Sequence, residues 1–367
     1  MPLSRRIRRT GLTVLVLAAA LVPPAGPSDC AAARPPKPNR AALGTGPRVE
    51  RARPVLGDLL TIAAASRPTV TDTARAARAV EAALEEAVRL EAVLSPGGGA
   101  SELARLNRAA PDDRFPCSDD LYAALDSALA VAAGTDGAWD PTAEPILAAW
   151  DARGRGRVPE PAKVAAARAL TGWRMLLLDP GRRTVRFMRP GMGVALDAVS
   201  PGFVLDRAAG VLRGLGIVRA RLELGGEVLA FTSYEPWTIR IPCPTADGGP
   251  GLRLALSDAA CATVTQAGRG AVPPAGRVGT VVDPRTGRPV AGEASVTVVT
   301  RSACRARALA EALLVMGRDE AAAYVRAHPD LGVLWLEPLE ADVRAWSWNL
   351  GTVEPEPGLR VEWMTHR

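Results

Sequence analysis

Four short stretches of this chain carry residue types that could do chemistry. Gly137-Ala138-Trp139-Asp140-Pro141-Thr142 sets a large aromatic and a carboxylate between a glycine and a proline. Trp139 could stack on a flat ring or anchor the loop to a core, and the residues alone leave both open. Gly225-Gly226-Glu227 joins two apolar runs, which suits a tight turn with positive φ or a backbone that a ligand must approach closely. Asp283-Pro284-Arg285-Thr286-Gly287 follows an apolar run and has the composition of a type I turn. Ser200-Pro201-Gly202 puts serine at a helix cap and proline in the first turn, and such a helix start could hold a phosphate on its free N–H groups.

Other chemistries have little to be built from. The chain has two histidines, His328 and the next-to-last residue His366, so a histidine triad or a histidine-rich metal cluster is not expected. Cys117, Cys243, Cys261 and Cys304 show no CxxC spacing, which argues against zinc. They read as scattered thiols able to form at most two disulfides. Lys and Arg total 45 against 39 Asp and Glu, and the basic residues are dispersed rather than gathered on a face with stacking aromatics. Nucleic acid is therefore not an expected partner.

The elements that position these stretches follow from periodicity. Helices are expected from Thr73 to Leu94 behind an Asp72 cap, from Ser101 to Asn107, from Ser118 to Ala133 and from Pro159 to Leu170. Further helices run from Pro201 to Leu215, Ala303 to Met316 and Asp319 to Ala327. Strands are expected over Leu56–Ala64, a Met175–Asp179/Thr184–Met188 hairpin, and 220–224, 227–231, 237–241, 252–256, 261–265, 280–283 and 295–299. This order gives an α+β fold, with a helical N-terminal part packed on a largely antiparallel mixed sheet. An apolar fraction of 48% over 367 residues supplies enough surface for such a core.

At the start, Arg5, Arg6, Arg8 and Arg9 precede the apolar run Leu12–Val22, with Ala31-Ala32-Ala33 as a cleavage site. Eleven residues are too few to span a bilayer, so residues 1–33 read as an export signal. Residues 34–48 read as a Pro/Arg-rich tether, 49–340 as the folded domain and 341–367 as a C-terminal extension. The expected location is the periplasm or the outer face of the cytoplasmic membrane, where the chain can associate with the membrane surface. Cys30 follows Pro27-Ser28-Asp29, which lacks the small apolar context of a lipid-modified cysteine.

Taken together, the stretches resemble the FAD:protein FMN transferase (ApbE-type) family. Ser101-Glu102-Leu103-Ala104-Arg105-Leu106-Asn107 is similar to the family's Ser-Glu-Leu followed by Leu-Asn, and the Trp139 loop to its Gly-Ala-Phe-Asp-Pro-Thr. Gly202-Phe203-Val204-Leu205-Asp206, Gly225-Gly226-Glu227 and Val282-Asp283-Pro284-Arg285-Thr286-Gly287 follow in the family's order, over roughly residues 49 to 340. The resemblance implies magnesium-assisted cleavage of the FAD pyrophosphate, with FMN passing to a Thr or Ser hydroxyl of a partner protein and AMP leaving. It places Leu56, Ala138, Trp139, Asp140, Ala195 and Pro201 at FAD, and the Ala198 carbonyl and Glu311 at the metal.

The departures that bear on chemistry fall at polar positions. Ala195 replaces an Asp, Pro201 a Lys, and Glu311 a ligating Thr. Arg307 stands where the family has a metal-ligating Asp, and Thr280 where a His precedes the Ile-Asp-Pro run. The resemblance therefore admits an active transferase with rearranged ligands, or a protein of the same fold that binds flavin or a partner in the cell envelope without transfer.

Overall fold

The computed structural model describes residues 48–65, 70–96, 99–109, 113–154, 156–244, 249–266, 281–339 and 342–364. The chain divides into Met1–Asn39 and Arg40–Arg367, and everything described belongs to the second unit. The export signal, the tether to residue 47, Cys30, Thr280 and His366 lie outside the described residues.

A nine-stranded sheet carries the fold. Its order is Arg48–Val55, Asp58–Ala65, Arg219–Leu224, Glu227–Thr232, Ala259–Gln266, Ala294–Thr300, Gly332–Leu339, Asp342–Trp348 and Val361–Trp363. Every neighbouring pair is antiparallel except the last, which is parallel. Strand side chains alternate between faces, and here both faces are buried. Leu60, Ile62 and Ala64 turn to one core with Leu222, Leu229, Val296 and Val298. Ala63 and Ala230 turn the other way, onto Trp237, Ile239 and Leu256. Trp237–Ile241 and Leu252–Leu256 belong to a small three-stranded sheet with Val353–Pro355, covering that second face.

The helices Val70–Leu94, Ser200–Gly214 and Ala303–Met316 cover the first face. Their approach is set by Gly202: a Cβ there would overlap the carbonyl of Ala303. Three hydrogen bonds lock the crossing. Asp206, one turn on from Gly202, accepts from Ser302 Oγ (2.8 Å), Ala303 N (2.9 Å) and Cys304 N (3.1 Å), so one helix caps the next.

The structure differs from the sequence expectations in several places, two of which bear on the ends of the sheet. Leu56 and Gly57 form a turn rather than the start of a strand, because their φ angles are +55° and +82°; the strand begins at Asp58 and pairs back on Arg48–Val55. Asp342–Trp348 pairs antiparallel with Gly332–Leu339 and Val361–Trp363 adds to it, so the sheet runs on past residue 340. The four described cysteines are free thiols, with burial pushing Cys261 up to about 12. Among the described residues no helix is long and apolar enough to cross a membrane.

Candidate functional site

Gly225 and Gly226, at φ +59° and +80°, are the two loop residues between paired Leu224 and Glu227. This is the tight hairpin that two glycines favour. The turn also meets other chemistry-bearing segments. A Cβ on Gly225 would sit 3.7 Å from the Pro201 ring and 3.8 Å from Asp58 Oδ2, and the Gly225 carbonyl accepts from Arg307 Nη1 at 3.4 Å. Leu56, half-buried in the neighbouring turn, is tied down by its N–H to Glu91 Oε1 at 2.8 Å.

Arg307 is held on the Ala303–Met316 helix, where its Nε donates to Glu311 Oε1 at 3.3 Å, four residues on. The second Glu311 oxygen accepts from Trp139 Nε1 at 3.1 Å. Trp139, Glu311, Arg307 and Gly225 thus form one continuous line of hydrogen bonds, with Pro201 close to Gly225, joining residues that are far apart in sequence.

The Trp139 loop is rigid for a local reason. Asp140, buried, accepts on Oδ1 from Thr142 N (2.8 Å) and Thr142 Oγ1 (2.6 Å), and on Oδ2 from Trp173 N (2.8 Å). Both of its oxygens are engaged within the protein. Burial pushes the Asp140 carboxyl up and these bonds oppose the shift. Ala138 is fully buried beneath the loop. Ala195 joins it through its N–H to Pro141 O at 2.8 Å, and Asn107 holds the preceding residue with bonds of 2.8 Å to both Val194 O and Val194 N. Ala198 is buried in the turn that leads into the Pro201 helix.

Residues that the sequence did not single out as site residues complete the electrostatics. Asp197 and Glu144 are both bound by Arg153, with bonds between 2.5 and 2.9 Å. Glu227 is 1% exposed and neither carboxylate oxygen has a hydrogen-bond partner. Burial raises it well above its ordinary value of 4.5; Arg307 opposes the shift, while Glu311 and Asp206 add to it. Burial also raises Glu311, with Arg307 pulling back only in part. For Arg307, burial works against the charge, and Glu311 and Glu227 outweigh it, so the guanidinium stays charged. The advance signals for Glu227 were its place after two glycines and in the motif order of the resemblance; its isolation comes from the sheet packed around it.

One pH prediction follows. Glu227 binds its proton more tightly folded than unfolded, so folding stability falls as pH rises from about 4.5 toward the folded pKa. Glu227→Gln removes this titration. Urea unfolding at about pH 5 and about pH 8 should show the wild type losing more stability than the variant across that interval; parallel losses would contradict the assignment.

The Asp283–Gly287 turn sits elsewhere. Gly287, at φ +71°, packs close to Val164 and accepts from Trp150 Nε1 at 2.9 Å. His328 stacks on Tyr324 at 4.1 Å.

The magnesium that the resemblance implies does not fit these donors as they stand. Both Glu311 oxygens are taken by N–H groups, a guanidinium lies beside them, and no group of three His, Cys, Asp or Glu among the described residues could hold a metal ion. A cation there would be repelled by the one already present.

The model of the ApbE family matches residues 59–335 of this chain. The chain belongs to the ApbE family. Curated relatives include the FAD:protein FMN transferase of Treponema pallidum, 29% identical over 78% of this chain and 84% of the relative. That of Salmonella typhimurium is 30% identical over 68% and 75%. Among solved structures, the flavin transferase ApbE from Vibrio cholerae superposes with a TM-score of 0.69 at 26% identity, covering 82% of this chain and 97% of that one. The ApbE protein of Thermotoga maritima does so with 0.68 at 27%, covering 79% and 94%. The ApbE-family chain described here shares their α+β architecture.

Proposed function

We propose that this ApbE-family protein binds FAD along the line from Leu56 through Pro201 and Gly225 to Trp139, and transfers FMN to a Thr or Ser hydroxyl of a partner protein. In that reaction the acceptor oxygen bonds to the FMN phosphorus, the bond to the AMP oxygen breaks, AMP leaves, and the hydroxyl proton goes to solvent. The observation that carries the reading is the contact line Trp139–Glu311–Arg307–Gly225, which joins three of the stretches that carry the family resemblance: the Trp139 loop, the Arg307 helix and the Gly225 turn. Ala138 and Ala195 supply apolar walls beside it, Asp140 holds the loop that presents Trp139, and the Pro201 helix offers its positive end to phosphate. The basic and apolar N-terminal segment supports export to the outer face of the cytoplasmic membrane as the place of action.

The Arg307–Glu311 contact favours a second reading, in which the protein binds flavin without transferring it. Calorimetric titration of FAD into the protein, followed by chromatography for AMP release in the presence of envelope proteins as acceptors, tests both. FAD binding with acceptor-dependent AMP supports transfer; binding without AMP supports the second reading; absence of binding overturns both.

A further inference from the structure

We propose that the Arg307 guanidinium is this chain's own cation for the FAD pyrophosphate, so that FAD binding requires no divalent metal. The inference rests on the FAD reading above and concerns how the same site handles charge.

Three observations meet at Gly225. The first is the state of the guanidinium. Its two hydrogen bonds are long, 3.3 and 3.4 Å, they use two of five N–H groups, and the side chain is 33% exposed. Arg307 is therefore placed but not saturated, and it reaches solvent. The second is the Ser200–Gly214 helix, fifteen residues long, whose first turn at Pro201 faces Gly225. Its positive end adds to that of the guanidinium. The third is Glu227, a buried carboxyl whose two oxygens have no hydrogen-bond partner, at the start of the strand that leaves the Gly225-Gly226 turn.

The guanidinium beside the start of the Pro201 helix opposes a magnesium ion at this point and offers N–H groups to an anion, with Asp58 and Glu311 as the acidic neighbours. A planar guanidinium can bond two phosphate oxygens at once, which a lysine cannot. An Arg–Glu pair four residues apart on a helix stabilises by only about 0.3–0.5 kcal/mol when exposed. A merely structural pair would not account for the neighbouring orphaned carboxyl or for the helix start aimed at the same place.

Titration of FAD into the full chain, followed by flavin fluorescence with magnesium and then with a chelator, tests this. The dissociation constants should agree within about twofold. Arg307→Met should weaken FAD about tenfold or more, the loss expected for charge-assisted phosphate bonds, and leave riboflavin, which has no phosphate, unaffected. Arg307→Met/Glu311→Gln should do the same, so that the loss cannot be assigned to a bare carboxylate, while Arg307→Lys should recover part of the affinity. Tightening of wild-type FAD binding about tenfold by magnesium overturns the inference and leaves the FAD reading standing, as does unchanged FAD affinity in Arg307→Met. If the wild type binds no FAD with or without magnesium, the FAD reading itself falls. The wild-type comparison does not depend on any variant folding.

Discussion

Gly202→Ala should lower the stability of the folded domain by about 3 kcal/mol, the upper end of overpacking costs. The added methyl would overlap the Ala303 carbonyl and crowd the Cys304 amide, and backbone cannot step aside as the tip of a flexible side chain can. With an unfolding entropy of about 2 cal/mol/K per residue, that corresponds to about 5 °C in a thermal melt followed by circular dichroism. Gly210 is the internal control. It lies on the same helix with nothing within 4 Å of an added Cβ, so Gly210→Ala should stabilise by about 0.5–1 kcal/mol through helix propensity and unfolded-state entropy. The same chemical change eight positions apart should thus have opposite signs. Equal effects at the two positions would mean that the Ser200–Gly214 and Ala303–Met316 helices do not approach as closely as described. The consequence extends to the site, since Asp206 and Gly202 fix where the Ala303 helix starts, and that start places Arg307 one turn later beneath Gly225.

Much of this arrangement was legible in the sequence, for definable physical reasons. Gly225-Gly226 reads as a hairpin because few other residue pairs adopt two successive positive φ angles, and the turn forms there. The helix start was placed correctly by Pro201, which sits in the first turn, but the expected Ser200 cap is not there: Val199 is the cap residue and no side chain caps the helix. The strand Arg48–Val55 escaped, although the folded domain was expected from residue 49, because its Arg-Val-Glu-Arg-Ala-Arg-Pro-Val pattern carries few apolar positions; its charged positions lie on an edge strand, paired on one side only. Leu56 was read as strand because an apolar residue beside a strand carries no local mark of a positive φ. The roles of Asp140, Asp206 and Asn107 were hidden because each acts through a partner distant in sequence, or through a backbone bond that leaves no compositional trace. The same applies to Glu227. A carboxylate after a turn usually faces water, and only the packing of the sheet around it removes the solvent.

Arg307→Asp/Glu311→Thr/Pro201→Lys should make FAD handling magnesium-dependent. The substitutions remove the guanidinium that repels a divalent ion and place a carboxylate where it stood. They also add a hydroxyl at Glu311 and a long cation at the start of the Pro201 helix beside Gly225. Magnesium in nucleotide sites is typically held by one or two carboxylates together with substrate phosphates, so one new carboxylate and the FAD pyrophosphate can suffice. The expected result is FAD affinity at least about tenfold tighter with magnesium than with chelator, roughly 1.4 kcal/mol, with magnesium-dependent AMP release above that of the wild type. Affinity and turnover separate the possible failures. A magnesium effect on binding without AMP release would show that the ion position is restored but that reactive alignment is not. No magnesium effect on either, in a variant that melts like the wild type, would mean that Arg307 and Glu311 do not stand at the ion position of the family. The reading of Arg307 as a replacement for that ion would then fail, while the contacts joining it to Trp139 and Gly225 through Glu311 would still require another explanation.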